Sequence, residues 1–125
     1  VSGRLETEAG GLRFQVENRR FGNDGGLAIR VYADVDGKEA QVLRFDCFEK
    51  VPHYHFDPDG LNAQLTLDRA VVPDVVAWSL VQIRDNIKPM LRAATYPAVA
   101  ERVDQAAIAG VVPTLREMLQ KAAQE

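Results

Sequence analysis

A single cysteine, Cys47, leaves this chain unable to form an internal disulfide, so a stapled secreted scaffold is excluded and an intracellular, cytoplasmic setting is expected. Long apolar runs are missing too: nothing approaches the roughly 18 consecutive residues that a membrane-spanning helix needs, so no membrane partner is expected. No basic-then-apolar leader opens the chain, and a start on Val1 rather than Met reads as a trimmed or processed one. Neither sign of charge dominates. With 18 acidic and 15 basic residues the net charge is −3, which argues against generic DNA or anionic-membrane binding, since phosphate affinity needs clustered Lys and Arg. Histidine is scarce as well: the chain has 2, and both fall in one short run.

What is present suits a folded domain. At 125 residues, 46% hydrophobic and 26% charged, the chain can bury one real core. The first half alternates apolar and polar residues with period two, and the second half shifts to helical spacing. Strands followed by helices, without interleaving, predict an α+β domain rather than a βαβ one. Residues 1–10 are polar and end on Gly, so they read as a loosely ordered N-terminal segment, and residues 11–125 as a single α+β domain.

Leu12, Phe14 and Val16 alternate with polar neighbours and predict a half-buried strand. Asn23-Asp24-Gly25-Gly26 reads as a turn into the strand of Leu27, Ile29 and Val31. Val35-Asp36-Gly37 closes a hairpin into Val42–Phe48. A three-residue loop there pairs Ile29 with Leu43 and Leu27 with Phe45, which gives one coherent apolar face; a two-residue loop would place Arg44 among apolar neighbours. Asp57-Pro58-Asp59-Gly60 carries a type I turn signal and sets Phe56 opposite Leu61 and His55 opposite Asn62. Pro52 requires a bend or bulge across Glu49–Pro52. From Pro73 the stripe Val76, Leu80, Ile83, Ile87 and Leu91 predicts an amphipathic helix that Pro89 kinks or ends. Pro97 opens a second helix stopped by Gly110, and Pro113 opens a third. The expected architecture is a roughly four-stranded antiparallel sheet with one face packed by two to three C-terminal helices.

Chemistry concentrates in Arg44–Gly60. His53 and His55 lie two apart, so on a strand both side chains leave the same face, where Asp46 of the preceding strand is a third ligand. Two histidines and a carboxylate form an open site, for which a divalent transition metal is the cofactor. A second chemistry uses His53 and His55 as general acid and base, with Arg44 stabilising charge, as a metal-independent ribonuclease would. A third uses Arg30, Asp46, Asn62 and Gln64 as a polar binding face. Against all three stands the plain alternative of solvated cross-strand neighbours. Cys47 reads as a buried small hydrophobe rather than a nucleophile. Trp78 is expected to cap the core or fill a subunit interface. Arg19-Arg20 supports nothing beyond surface charge, and neither Gly-rich turn has the spacing of a phosphate or calcium loop.

The run Arg44-Phe45-Asp46-Cys47-Phe48, followed by Pro52-His53-Tyr54-His55-Phe56-Asp57-Pro58, resembles a small bacterial family of unknown function with an RFDCF…PHYHYDP signature. Phe56 stands where that signature has tyrosine, and the resemblance implies no mechanism. More loosely, Arg44-Phe45-Asp46 with His53 and His55 is similar to small toxins of bacterial toxin–antitoxin pairs, whose histidine run is richer. The leading expectation is a small cytoplasmic bacterial binding or accessory module that uses its polar sheet face, with itself as a homo-oligomer or another protein as partner. The toxin-like ribonuclease, the only reading with an RNA partner, comes second. The metal site of His53, His55 and Asp46 comes third.

Overall fold

Alternation assigns each strand an apolar and a polar side, and the computed structural model, which describes residues 4–125, contains six strands where four were expected. Strands β1 (Leu5–Ala9), β2 (Leu12–Phe21), β3 (Asp24–Val35), β4 (Lys38–Phe48), β5 (His53–Phe56) and β6 (Ala63–Thr66) form an antiparallel meander whose spatial order is the chain order. The first of these corrects the expectation of a loose segment over residues 1–10. Leu5 pairs with Val16 and Ala9 with Leu12, with Leu5, Thr7 and Ala9 half-buried and Glu6 and Glu8 outward or exposed. For residues 1–3 that expectation lies outside the described residues.

The three expected turns each differ from expectation for a local reason. The first turns at Gly22-Asn23, with Phe21 opposite Asp24 and Gly22 at φ 62. Asp24 belongs to the sheet because its carboxylate collects the N–H groups of Gly25, Lys50 and Val51 at 2.8, 3.0 and 2.8 Å. The second hairpin uses a two-residue Asp36-Gly37 loop, both residues at positive φ (53° and 82°), and not the three-residue loop. A bulge after Val31 absorbs Val42, so Ile29 faces Phe45 and Leu27 faces Cys47. In the third, Asp57 and Asn62 both take positive φ and the Asp57 carbonyl accepts from Asn62 N–H at 2.7 Å, which lengthens the loop. Phe56 therefore pairs with Ala63 and His55 with Gln64, rather than Leu61 and Asn62. Both register errors are slips of two residues, which move partners but keep every side chain on its expected face.

Helices α1 (Val75–Ala93), α2 (Pro97–Arg102) and α3 (Gln105–Ala122) follow the sheet. Asp74 and Asp104 cap α1 and α3 by accepting the N–H groups of Ala77 and Ala107. Pro89 lies inside α1, and the kink falls at Asn86, whose φ is −126°. The expected stop at Gly110 and start at Pro113 are wrong, since α3 runs through both. Ile108, Val112, Leu115, Met118, Leu119 and Ala122 form one buried stripe along it. Burying each large apolar side chain contributes roughly 1.5–3 kcal/mol. Together they exceed the ~3 kcal/mol that an interior proline costs.

The three helices cover the sheet face that carries Phe14, Val16, Ile29, Val31, Leu43, Phe45 and Cys47, all buried in one apolar cluster. Tyr54 and Phe56 pack half-buried against it. Trp78 lies over Tyr54 at 5.2 Å between ring centroids, so it caps this core. Burial pushes the Cys47 thiol up to about 11, which removes it as a nucleophile at neutral pH. Among the described residues no helix is long and apolar enough to cross a membrane. The opposite sheet face carries the polar residues.

Candidate functional site

On that second face, strand pairing lines up side chains in rows. One row runs Glu17, Ala28, Asp46, His53, Thr66, and the next runs Gln15, Arg30, Arg44, His55, Gln64. A third, shorter row sets Arg19 opposite Gly26 and Gly26 opposite Phe48. Two small residues of β3, Gly26 and Ala28, therefore separate Arg19 on β2 from Phe48 and Asp46 on β4. Gly26 has no space for a side chain: a Cβ there would sit 2.6 Å from the Cys47 carbonyl oxygen, at a backbone φ of 153°. The low β3 lets Arg19 reach across to β4, where its Nη1 lies 3.4 Å from Asp46 Oδ1.

The result is a cavity of about 230 Å³ lined by Arg19, Phe21, Arg44, Asp46, Phe48, His53, His55, Asn62 and Gln64. All four residues expected to share the exposed face, Arg44, Asp46, His53 and His55, meet in it. They are not solvated neighbours, since Asp46 is 1% exposed and His55 4%. Arg30, expected in the binding set, stands outside the cavity; its Nε–H donates to Glu17 at 2.9 Å and its Nη1–H to Gln41 at 3.2 Å. Larger concavities lie elsewhere, including one of about 500 Å³ beside Arg13 and Tyr32, but the clustered His and Asp side chains are in this one.

Asp46 Oδ2 is the focus. His53 Nε2 lies 2.9 Å from it, His55 Nε2 3.2 Å and Arg44 Nε 3.0 Å. Arg44 also donates an Nη2–H to His55 Nε2 at 3.0 Å. The other ring nitrogens are anchored by oxygens: His53 Nδ1–H donates to the Val51 carbonyl and His55 Nδ1–H to Asn62 Oδ1, both at 2.7 Å. With both Nδ1 positions carrying the proton, the two neutral imidazoles present their Nε2 lone pairs to one carboxylate oxygen. Three electron-rich atoms facing one another require a positive charge among them. The Arg44 guanidinium supplies one here, and the hydrogen bond to Asp46 favours a proton on His53 Nε2 as well.

The charges follow. Burial on its own would raise the Asp46 carboxyl, but the His53 hydrogen bond and the charges of Arg44, His53 and Arg19 outweigh it and hold Asp46 at about 2. The hydrogen bond to Asp46 raises His53 above its ordinary value, against the opposing effect of burial. Burial and then the Arg44 charge lower His55. The Phe48 and His53 rings meet nearly perpendicular, with centroids 5.4 Å apart, and Phe48 is buried on this polar face outside the main core.

Asp46, His53 and His55 place one ligand atom each within 4.8 Å of the others, a group that could hold a metal ion. The family of a chain is read from its whole length, and here a family described as a domain of unknown function (DUF7700) matches residues 6–119. The chain belongs to that family. No curated protein and no solved structure matches it. In this DUF7700 chain the site is thus read from its geometry alone.

Two contributors, Arg19 and Asp24, escaped the sequence reading, and a third, Asn62, was expected in the binding set but acts from a different place. Arg19, taken as surface charge, joins the site because it lies across two small residues. Asn62 was expected opposite His55 on β6; it sits instead in the β5–β6 loop at φ 50° and orients the His55 ring from there. Asp24 acts at one remove, holding the Lys50 and Val51 N–H groups and so the segment whose Val51 carbonyl anchors His53. The signal that could have revealed Arg19 was the pair Gly26 and Ala28 on the polar side of β3.

Proposed function

We propose that this chain binds a divalent transition metal through His53 Nε2, His55 Nε2 and Asp46 Oδ2, so that its polar sheet face works as a metal-containing binding module. One observation carries the reading: both histidines give their Nδ1–H to an oxygen and turn their Nε2 atoms, which ligate once deprotonated, to the same carboxylate oxygen. A metal-ligating histidine characteristically donates its other ring N–H to a carbonyl or carboxylate, which fixes tautomer and orientation. Ligand bonds of ~2.1 Å separate donor atoms by ~3.0 Å at right angles and ~3.4 Å in a tetrahedron, so the Nε2–Oδ2 spacings of 2.9 and 3.2 Å would need only a small outward shift to admit an ion. Hydrogen bonds to Asp46 have the same length, so the paired anchoring rather than the distance supports the metal. Two imidazoles and one carboxylate leave further positions open for an exogenous ligand. The test is calorimetric titration of untagged, chelator-treated protein with Zn(II) or Co(II). One ion per chain is expected, and loss of binding in Asp46→Ala and in His53→Ala/His55→Ala; no saturable binding in the folded protein removes the reading.

One observation favours the metal-independent ribonuclease. The His53 and His55 environments drive their proton affinities in opposite directions, as an acid–base pair needs. Both Nε2 atoms converge on one oxygen, however, whereas such a pair works from two sides of a phosphate. RNA cleavage by chelator-treated protein, lost in His53→Ala, would establish it in place of the metal.

A further inference from the structure

The cavity holds more positive charge than a metal needs from its surroundings. Among the described residues that line it, Asp46 is the one carboxylate, and it faces Arg19 and Arg44 as well as the two histidines. Once Asp46 Oδ2 serves a metal, two guanidinium groups and a divalent cation confront a single negative charge. That imbalance is unfavourable in a partly buried cavity unless something anionic enters.

The arginines are placed to receive it. Arg19 makes one long contact to Asp46, at 3.4 Å from Oδ1, which leaves most of its N–H groups without a carboxylate. Its guanidinium lies 5.8 Å from the Phe21 ring centroid and 5.7 Å from that of Phe48, so aromatic faces hold it over the cavity. Arg44 has both its charge-assisted contacts, to Asp46 Oδ2 and His55 Nε2, on atoms that a metal would take. A metal therefore frees the Arg44 N–H groups at the same moment that it opens a coordination position beside them. Guanidinium groups match planar carboxylates and phosphates through paired N–H bonds. Gln64 and the Asn62 amide add uncharged partners along the wall. Displaced water occupies ~30 Å³ per molecule, so a cavity of about 230 Å³ has room for a small ligand.

We propose that Arg19 and Arg44 form an oxyanion subsite beside the metal, and that the chain's ligand is a small molecule carrying a carboxylate or phosphate group. This rests on the metal reading above and names the ligand class for that site. The metal and the anion bind with positive coupling, because the metal both releases Arg44 and adds attraction.

The test uses Co(II)-loaded protein in a buffer free of coordinating anions, with the visible absorption of the bound ion as readout. Acetate and inorganic phosphate are titrated separately, which distinguishes a carboxylate from a phosphate preference. A saturable spectral change with one of them is expected, its Kd weakened tenfold or more in Arg19→Gln. Arg30→Gln, on the same face but outside the cavity, should leave that Kd unaltered. Bound Co(II) whose spectrum neither anion changes, or an equal Kd in wild type and Arg19→Gln, overturns the oxyanion subsite while the metal reading stands. Failure of Co(II) to bind at all overturns both.

Discussion

Arg44→Met is the perturbation that most sharply separates a metal site from a buried ionic network. Arg44 donates Nε–H to Asp46 Oδ2 and Nη2–H to His55 Nε2, each at 3.0 Å, from a side chain 18% exposed. A metal needs both acceptor atoms, so wild-type protein gives up both bonds when it binds one. Hydrogen bonds to charged groups each contribute roughly 1.5–3 kcal/mol net, so their loss costs at least about 3 kcal/mol. Part returns as the guanidinium meets water or an anion. A residual penalty of ~1.4–2.8 kcal/mol corresponds to a tenfold to hundredfold weaker metal affinity in wild type. Methionine keeps the length and apolar stem but cannot donate, so Arg44→Met should bind Zn(II) ten to a hundred times more tightly. Competition against a chromophoric chelator measures the ratio, with circular dichroism confirming the fold and Arg44→Gln as a second variant. If both folded variants bind Zn(II) no more tightly than wild type, Arg44 is not in competition with a metal and the reasoning fails.

Further outcomes follow from the same contacts. Asn62→Gly, which tolerates the φ of 50° at this position, removes the acceptor that fixes the His55 tautomer, and should weaken metal binding by roughly 10–100-fold in calorimetry while leaving the circular dichroism unaltered. Asp46, lowered from 3.8 to about 2 in the folded chain, contributes stability that is fully present above pH 4 and lost as the pH falls towards 2. At about 1.4 kcal/mol per unit the contribution is roughly 2.5 kcal/mol at most, and acid titration of urea stability should show it in wild type but not in Asp46→Asn. The His53 shift has the opposite sign: its stabilisation is present below pH 6.5 and is lost as the pH rises through its raised value, so metal affinity should rise over the same interval. Gly26→Ala forces a Cβ against the Cys47 carbonyl and should cost about 1–3 kcal/mol, read as a lower melting temperature; an unchanged midpoint would show that β3 can give way.

The faces of the sheet were legible in the sequence, and the partners across it were not. Period-two alternation put Arg44, Asp46, His53 and His55 on one side. Slips of two residues at Asp36-Gly37 and at Asp57–Asn62 left that assignment intact because side-chain direction repeats every two residues. Partners depend on bulges and on positive-φ residues such as Asp57 and Asn62, whose cues are weak because they are not glycine. Arg19 was invisible for a related reason: its approach to Asp46 needs the pairing of three strands and the absence of side-chain bulk at Gly26. Edge strand β1 was hidden by its shortness and by Glu6 and Glu8, which keep its outer side polar. In the helical half, proline and glycine were read as boundaries, yet the buried stripe from Ile108 to Ala122 decided where α3 runs. Asp104, a plain N-cap signal next to Val103, marked the true start.

X-ray absorption on the Zn(II)-loaded, untagged protein tests the central claim most directly, because it reports the ligands and not merely binding. Two imidazole nitrogens at ~2.0–2.1 Å are expected, with oxygen donors completing the shell and no sulfur, and loss of the imidazole signal in His53→Ala/His55→Ala. An ion surrounded by oxygen alone, or imidazole ligation that survives the double substitution, would contradict it.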